Sequence, residues 1–290
     1  MAGFSRSRKE GGDRMYRISM IPYANMAPYR QLGPPPGCTW VDYVPRQSSI
    51  ALRDGSVWAA AAPVGDLPWL ADCTEFLGAF GIAAAGAVGS VLLFSDLPFD
   101  ELAAPAKLRL TDESSSSVRL LHLLLLRQHG RERVPLLAEP DEPADAELLI
   151  GDEALVRATR PDRRLVIDLA EEWFRMQGVP FVFARWVIRR DAPAELRSAM
   201  LEWLEQLRER DAELAELAAP AEAARLSISR EAMLAYLRGM KRVLGADELR
   251  GQELFLAELA QGGRFARRSR VRTRRPPPAP TFGIDSECAR

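Results

Sequence analysis

Short apolar segments alternate with polar or amphipathic segments through most of this chain, and this alternation limits the fold it can adopt. Segments of strand length lie at residues 16–21, 39–44, 57–64, 86–95, 108–110, 148–150 and 181–188. From Pro193 onward, apolar residues recur instead at the three- and four-residue spacing of a core-facing helix. Strands alternating with helices predict an α/β fold, in which ligands bind at the carboxyl ends of the strands.

The stretch GAVGSVLLFS, residues 86–95, is the clearest of these segments. Its small residues give way to an apolar run that ends at Asp96, a pattern that favours a buried strand. Ser90 stands at the point of change. Without large neighbours at Gly86 and Gly89, the backbone there can approach a ligand closely. The alternative is a core strand whose glycines only permit tight packing.

Composition and charge narrow the function classes. The 290 residues are 47% hydrophobic, enough for one large domain or two lobes around a substantial core. The formal net charge of −1 is unevenly spread, because residues 264–290 carry eight arginines against Asp285 and Glu287. The body of the chain is therefore acidic, which argues against a nucleic-acid groove on the main fold.

Both ends of the chain have the composition of tails. Residues 1–14 are polar and glycine-rich, and we expect a flexible segment. Residues 264–290 are basic and proline-rich without apolar periodicity, so they are expected to be disordered. The basic tail could touch RNA or an anionic surface, but a solvated tail is the simpler interpretation.

The cysteines and histidines do not form a site in sequence. Cys38, Cys73 and Cys288 are far apart and form no CxxC pair, so neither a disulfide framework nor a zinc site is predicted. His122 and His129 are interpreted as helix-surface residues. No signal peptide and no run of ~18 apolar residues is recognisable. We expect a cytoplasmic protein with no metal, cofactor or membrane partner, and the oligomeric state stays open.

Three polar groups follow predicted strands and are candidates for ligand binding. Asn25 lies in the turn after the first strand, where its amide can donate and accept hydrogen bonds. Asp152 follows the strand at 148–150, beside Gly151. The alternatives are a turn or cap asparagine and an N-cap aspartate for the next helix.

The third group is the serine run of TDESSSSVRLL, residues 111–121. It lies between a short strand and an apolar helix, where free N–H groups and the helix dipole attract an anion. Ser116 and Ser117 could bind a carboxylate there, or the serines could simply cap the helix. A phosphate-binding P-loop is excluded because the chain has no GxxxxGK[ST] motif.

Six segments in this order resemble the chorismate dehydratase family of the futalosine route to menaquinone. They are RISMIPYANMAP, GAVGSVLLFS, TDESSSSVRLL, AELLIGDEAL, DLAEEWFRMQGVPFVFARW and YLRGMKRVLGADELRGQELF. Each motif alone is weak, but six in the correct order over residues 15–263 are specific. The Ser-Pro-Asn-Asp type signature of the related dihydroxynaphthoate-forming enzyme is absent.

The resemblance implies a two-lobed type II periplasmic-binding-protein-like fold with a ligand cleft between the lobes. Residues 15–92 and 189–263 would form lobe 1, and residues 93–188 would form lobe 2. The chain would cross between the lobes near residues 92–97 and 183–188. The C-terminal helices would return to lobe 1.

The resemblance also implies an activity, the conversion of chorismate to 3-[(1-carboxyvinyl)oxy]benzoate and water. The family's catalytic positions match Asn25 and Ser90, and its substrate-binding positions match Ser116, Ser117, Gly151 and Asp152. Trp58 and Gln177 depart from the family pattern, which has an acidic residue and a threonine there.

Two alternatives remain open at this point. The ring proton could go to a substrate carboxylate that Asn25 and Ser90 orient, or to Asp152 acting as general base. The same fold could also serve a non-catalytic protein that binds small carboxylates.

Overall fold

The computed structural model describes residues 15–130, 133–139 and 141–262, and the predicted tails 1–14 and 264–290 lie outside them. Strands of the described residues form a six-stranded and a five-stranded sheet. The strands are β1 Tyr16–Met20, β2 Cys38–Asp42, β3 Ala59–Pro63, β4 Thr74–Ala84, β5 Val91–Ser95, β6 Lys107–Leu110, β7 Leu136–Leu137, β8 Ala146–Ile150, β9 Leu165–Asp168, β10 Phe181–Arg189 and β11 Lys241–Val243.

The helices cover these sheets and connect their strands. They are α1 Ala27–Leu32, α2 Pro45–Asp54, α3 Leu67–Leu70, α4 Ser116–His129, α5 Gly151–Ala158, α6 Leu169–Gln177, α7 Ala194–Leu226, α8 Arg230–Gly239 and α9 Ala246–Gly262. Two short 3₁₀ helices, Ala24–Met26 and Val64–Asp66, follow the carboxyl ends of β1 and β3.

The six-stranded sheet has the order β11-β4-β10-β3-β1-β2. Strand β1 pairs in parallel with β2 and β3, while β10 runs antiparallel to β3 and β4. Every residue of β3 is buried, because a central strand is covered on both faces. Because β1 and β3 are parallel, the turns that follow them lie at the same end of the sheet's strands.

The five-stranded sheet has the order β7-β6-β8-β5-β9, with β6 parallel to β8 and β5 antiparallel to both of its neighbours. All five residues of β5 are buried, as the run VLLFS predicts. Helix α5 starts directly beyond β8, and α4 starts after a short loop beyond β6. Their first residues contact the turns of the six-stranded sheet, Ser116 at Gly65 and Asp152 at Ala24.

The strand Phe181–Arg189 does not belong to the second lobe, where the sequence analysis placed residues 181–188. It pairs with β3 and β4 at the centre of the six-stranded sheet. The chain therefore leaves this sheet after Ala84 and returns to it before Phe181, rather than crossing at 92–97 and 183–188. The sequence of an apolar strand does not indicate which strands it pairs with. The place of β10 is determined by its long hydrogen-bonded pairing with β3 and β4.

The C-terminal helices pack mainly on the first lobe, the part of the molecule built on the six-stranded sheet. Helix α7 packs along α1, and the indole of Trp203 donates to the carbonyl of Gly33 at 2.7 Å. Helix α9 contacts β10, where Gln252 Oε1 accepts from the buried Arg185 at 2.9 Å. It also forms an ion pair from Glu258 to Arg127 of α4, so it touches both lobes.

Among the described helices, none combines the length and the apolar character needed to cross a bilayer.

Candidate functional site

A small cavity lies between the two sheets, where the carboxyl ends of parallel strands from both lobes meet. Its volume is about 60 Å³, and its lining includes Tyr23, Pro63, Ser116, Ser117, Gly151 and Phe183. A water molecule occupies ~30 Å³ of liquid, and sites for small-molecule ligands measure ~300–1,000 Å³. The cleft in this structure is therefore closed, and the cavity as it stands is too small for a ring-sized ligand.

The serine run at the N-terminus of α4 holds the two lobes together. Ser116 Oγ accepts from the backbone N–H of Gly65 at 2.9 Å and donates to the carbonyl of Phe183 at 3.4 Å. Both partners belong to the first lobe. The Ser116 hydroxyl therefore bridges the closed cleft, since it both donates to and accepts from the first lobe.

Capping of α4 falls to a different serine. Ser114 Oγ accepts the N–H of Ser117 at 3.0 Å and donates to Ser117 Oγ at 2.9 Å. All three serines are almost fully buried. The capping alternative thus holds for Ser114, whereas Ser116 and Ser117 belong to the cavity lining without capping the helix.

Gly151 is fixed by its backbone conformation and by a close aromatic neighbour. Its φ of +62° is a left-handed conformation that suits glycine, and its N–H donates to the carbonyl of Ser90 at 2.8 Å. A Cβ atom at this position would lie 2.7 Å from the ring of Tyr23. Only glycine lets the N-terminus of α5 approach this ring.

Asp152 links the second lobe to the first. Its Oδ1 accepts the backbone N–H of Ala24 at 2.8 Å, and its Oδ2 accepts from Arg225 Nη2 at 2.7 Å. It does not cap its own helix, because α5 already begins at Gly151 and has no side-chain cap. Both oxygens accept hydrogen bonds, one from a backbone N–H and one from an arginine, so the carboxylate serves as an inter-lobe contact in this form.

Ser90 is buried at the start of β5, with 3% of its surface exposed. Its hydroxyl accepts from the phenol of Tyr236 on α8 at 3.0 Å. Burial raises the pKa of Tyr236 above its usual range, so the phenol stays protonated. The loop before Ser90 is held by Asp168, whose Oδ2 accepts from the N–H groups of Val88 and Gly89 at 2.8 and 2.6 Å.

Asn25 lies in the 3₁₀ helix after β1 and presents an unpaired acceptor. Its Oδ1 is buried and has no hydrogen-bond partner within the described residues. Its backbone carbonyl accepts from the buried Arg242 at 3.4 Å, and Arg242 is paired with Asp211 at 3.0 Å. The side chain does not cap the turn.

The candidate residues thus form two groups. Ser116, Ser117 and Gly151 line the cavity, whereas Asn25, Ser90 and Asp152 flank it. The Gly151–Asp152 pair connects the flanking residues, since it contacts Ser90 on one side and the turn of Asn25 on the other.

Sequence reasoning missed several residues that shape the site. The phenol of Tyr23 donates across the cleft to Glu113 Oε2 at 2.5 Å, and burial raises its pKa above the usual range. Tyr236, Arg242 and Asp168 each hold a candidate residue or its loop. Tyr23 and Tyr236 stand inside the motifs quoted above, but nothing in a motif says which partner a tyrosine contacts.

The cavity wall described by these residues contains no lysine or arginine. The nearby Arg119, Arg225 and Arg242 are paired with Asp66, Asp152 and Asp211. An anion in the cleft would therefore be met by hydroxyls and by the backbone N–H groups that begin α4 and α5. No group of three His, Cys, Asp or Glu side chains suited to a metal ion occurs in the described part of the chain.

Solved structures share this architecture. A protein from Archaeoglobus fulgidus superposes with a TM-score of 0.64 at 16% identity, over 86% of this chain and 98% of that one. The alkanesulfonate-binding protein SsuA of Xanthomonas axonopodis pv. citri, bound to MOPS, gives 0.59 at 16% identity, over 84% and 93%. Two lobes closing over a cleft define a type II periplasmic-binding-protein-like fold, as the sequence predicts.

Sequence comparison goes further than the fold. Residues 16–261 match the model of a family described as menaquinone biosynthesis. A chorismate dehydratase from Thermus thermophilus is 31% identical over 271 residues, which cover 85% of this chain and 96% of that enzyme. The chain belongs to this menaquinone biosynthesis family.

Proposed function

We propose that this protein is a chorismate dehydratase of the hydro-lyase type, which forms 3-[(1-carboxyvinyl)oxy]benzoate and water in the first step of futalosine-dependent menaquinone synthesis. The family and the Thermus relative support this assignment. One structural observation supports it: the Gly151–Asp152 turn, beside the cavity, contacts the backbone carbonyl of Ser90 and the backbone of the turn that carries Asn25.

The cleft suits a substrate with two carboxylates. Two helix N-termini and the hydroxyls of Ser116 and Ser117 face the cavity, and no fixed cation lines it. In the closed form Ser117 Oγ accepts from Ser114 Oγ, and Ser116 Oγ accepts from the N–H of Gly65 and donates to the carbonyl of Phe183. Chorismate carboxylates would take the place of these contacts when the lobes open and close again.

Asn25 suits the one hydrogen-bond donor of ionised chorismate, its ring hydroxyl. The buried Oδ1 of Asn25 has no partner among the described residues, and a buried acceptor of this kind favours a ligand that donates to it. Asn25 would orient the hydroxyl, and Ser90 would donate to the same oxygen as the C–O bond breaks.

The reaction removes a ring proton from the carbon that bears the enolpyruvyl ether and the hydroxyl from the neighbouring carbon. The proton and the hydroxide leave together as water, and the ring becomes aromatic. No His, Lys or Cys lines the cavity, and both Asp152 oxygens accept hydrogen bonds. This favours a substrate carboxylate as the proton acceptor, while Asn25 and Ser90 hold the departing hydroxyl.

Incubation of the purified full-length chain with chorismate tests the proposal. The expected product is lighter than chorismate by one water, detected by mass spectrometry, and forms without added metal or nucleotide. Ser90→Ala is the matched control and should form it far more slowly. Tight chorismate binding with no product after long incubation would contradict the proposal and support a small-carboxylate-binding protein of the same fold.

A further inference from the structure

The phenol of Tyr236 reaches Ser90 from an element far away in the sequence. Tyr236 lies on α8, which packs on α7 and on the 3₁₀ helix that carries Asn25. Its hydroxyl is 3.0 Å from Ser90 Oγ, across a sequence separation of 146 residues. The contact joins a C-terminal helix of the first lobe to the first strand of the second.

The direction of this hydrogen bond follows from the chemistry of the two hydroxyls. A phenol is a stronger acid than an aliphatic alcohol, so Tyr236 donates and Ser90 accepts. A serine hydroxyl has one proton to give. With Tyr236 occupying a lone pair of Oγ, the Ser90 proton must point to a different acceptor.

The rest of Ser90 is already fixed. Its carbonyl accepts from Gly151, and Asp168 holds the two preceding N–H groups. The side-chain torsion is the remaining freedom, and at 3% exposure bulk water does little to direct it. Tyr236 is the described side chain that bonds to this hydroxyl.

We propose that Tyr236 is a positioning residue that aims the Ser90 proton at the departing ring hydroxyl of the substrate. This inference rests on the proposed function for its substrate. Tyr236 acts through Ser90 and does not itself donate to the substrate.

Tyr236→Phe removes one oxygen and keeps the ring. We expect kcat to fall about 10- to 100-fold, the scale of one hydrogen bond to a polarised group. KM should stay within about twofold because the phenol does not bind substrate. Tyr16→Phe is the matched control, since its phenol bonds to Glu195 away from the cleft and its loss should leave kcat unchanged. Equal kcat in Tyr236→Phe and the unchanged protein would overturn the inference.

A double-mutant cycle separates positioning from general packing. If Tyr236 acts through Ser90, then Ser90→Ala and the double variant Ser90→Ala/Tyr236→Phe should have the same kcat. A further loss in the double variant, of the size seen for Tyr236→Phe alone, would mean that Tyr236 acts independently of Ser90.

Replacing Tyr236 with 3,5-difluorotyrosine provides a pH readout. An ionised phenol cannot donate and would draw the Ser90 proton to itself. The phenol of this variant is more acidic, so its kcat should fall at an alkaline pH at which the kcat of the unchanged protein is still constant. Coinciding pH profiles of the two proteins would count against the inference.

A lack of chorismate turnover would refute the proposed function alone. Crystal structures test the inference about Tyr236 even in that case. Ser90 should occupy one rotamer in the unchanged protein and more than one in Tyr236→Phe. The same single rotamer in both would show that Tyr236 does not direct the hydroxyl.

Discussion

The carboxylate of Asp152, at the start of the second lobe's α5, accepts the backbone N–H of Ala24 in the first lobe at 2.8 Å. The same carboxylate pairs with Arg225, so one side chain connects α5, the turn of Asn25 and the end of α7. Closure of the cleft and the placement of Asn25 therefore depend on a common contact.

Asp152→Asn should separate two mechanisms, in which the ring proton goes to a substrate carboxylate or to Asp152 as general base. Asparagine keeps an acceptor for Ala24 but loses the charge facing Arg225, so kcat should fall by less than about tenfold. A general base would instead cost about 10²- to 10⁴-fold. Arg225→Met removes the same ion pair and leaves the carboxylate, and steady-state kinetics of both variants should agree. A large loss confined to Asp152→Asn would favour the aspartate as base.

Ser90→Ala and Asn25→Ala should each lower kcat by about two to three orders of magnitude, the usual effect of one preorganised polar group. Neither should lower thermal stability much, because Asn25 does not cap its turn. Ser95→Ala is the control, since it removes a buried hydroxyl at the other end of β5. That hydroxyl donates to the carbonyl of Leu97. Near-normal turnover in both site variants would refute the assignment of the site.

Gly151→Ala should impair closure as well as stability. The alanine would be strained at a φ of +62°, and its Cβ would meet the Tyr23 ring at 2.7 Å. Gly178→Ala is the matched control, because its φ of +67° imposes the same strain and no atom lies within 4 Å of the added Cβ. We expect both to be destabilised by about 1 kcal/mol or more, but only Gly151→Ala to lose turnover and to scatter X-rays as a more open molecule. Identical kinetics and scattering in the two would contradict this role.

Tyr29 should make the protein sensitive to alkali. The side chain is fully buried, its hydroxyl has no partner among the described residues, and burial raises its pKa above the usual value. Above pH ~10 the unfolded chain releases a proton that the folded chain keeps, so the free energy of unfolding falls as pH rises. The contribution is at most about 1.4 kcal/mol per pH unit.

Tyr29→Phe should remove this part of the slope, and urea unfolding between pH 9 and 11 measures it. At pH 8 the variant should be at least as stable, because an unpaired buried hydroxyl is gone. Equal slopes for the variant and the unchanged protein would show that Tyr29 does not carry the effect.

Local pattern was enough to predict the fold class and the strand at Ser90. The apolar run of β5 and the alternation of elements are properties of neighbouring residues, and both are confirmed. The prediction that residues 181–188 belong to the second lobe was wrong. The place of β10 depends on its pairing with β3 and β4, which no single segment encodes. Its buried arginine, Arg185, donates to the carbonyls of Gly78 and Phe80 and to Gln252.

The sequence predicted which polar residues follow the strands, but it did not predict what they contact. Polar residues at strand ends marked Asn25, Ser116 and Asp152. Their partners come from other parts of the chain, as when Asp152 meets Ala24 instead of capping α5. Such contacts arise from tertiary packing, and their roles in turnover stay predictions until the variants above are measured.

The order of elements along the chain has a consequence for its synthesis on the ribosome. The five-stranded sheet is contained in residues up to Asp168, whereas the six-stranded sheet is complete only when β11 has emerged. Tyr236 and Arg242, which contact Ser90 and Asn25, belong to this last part. The second lobe can fold as a unit during translation, but the nascent chain lacks an assembled site until its final helices leave the exit tunnel.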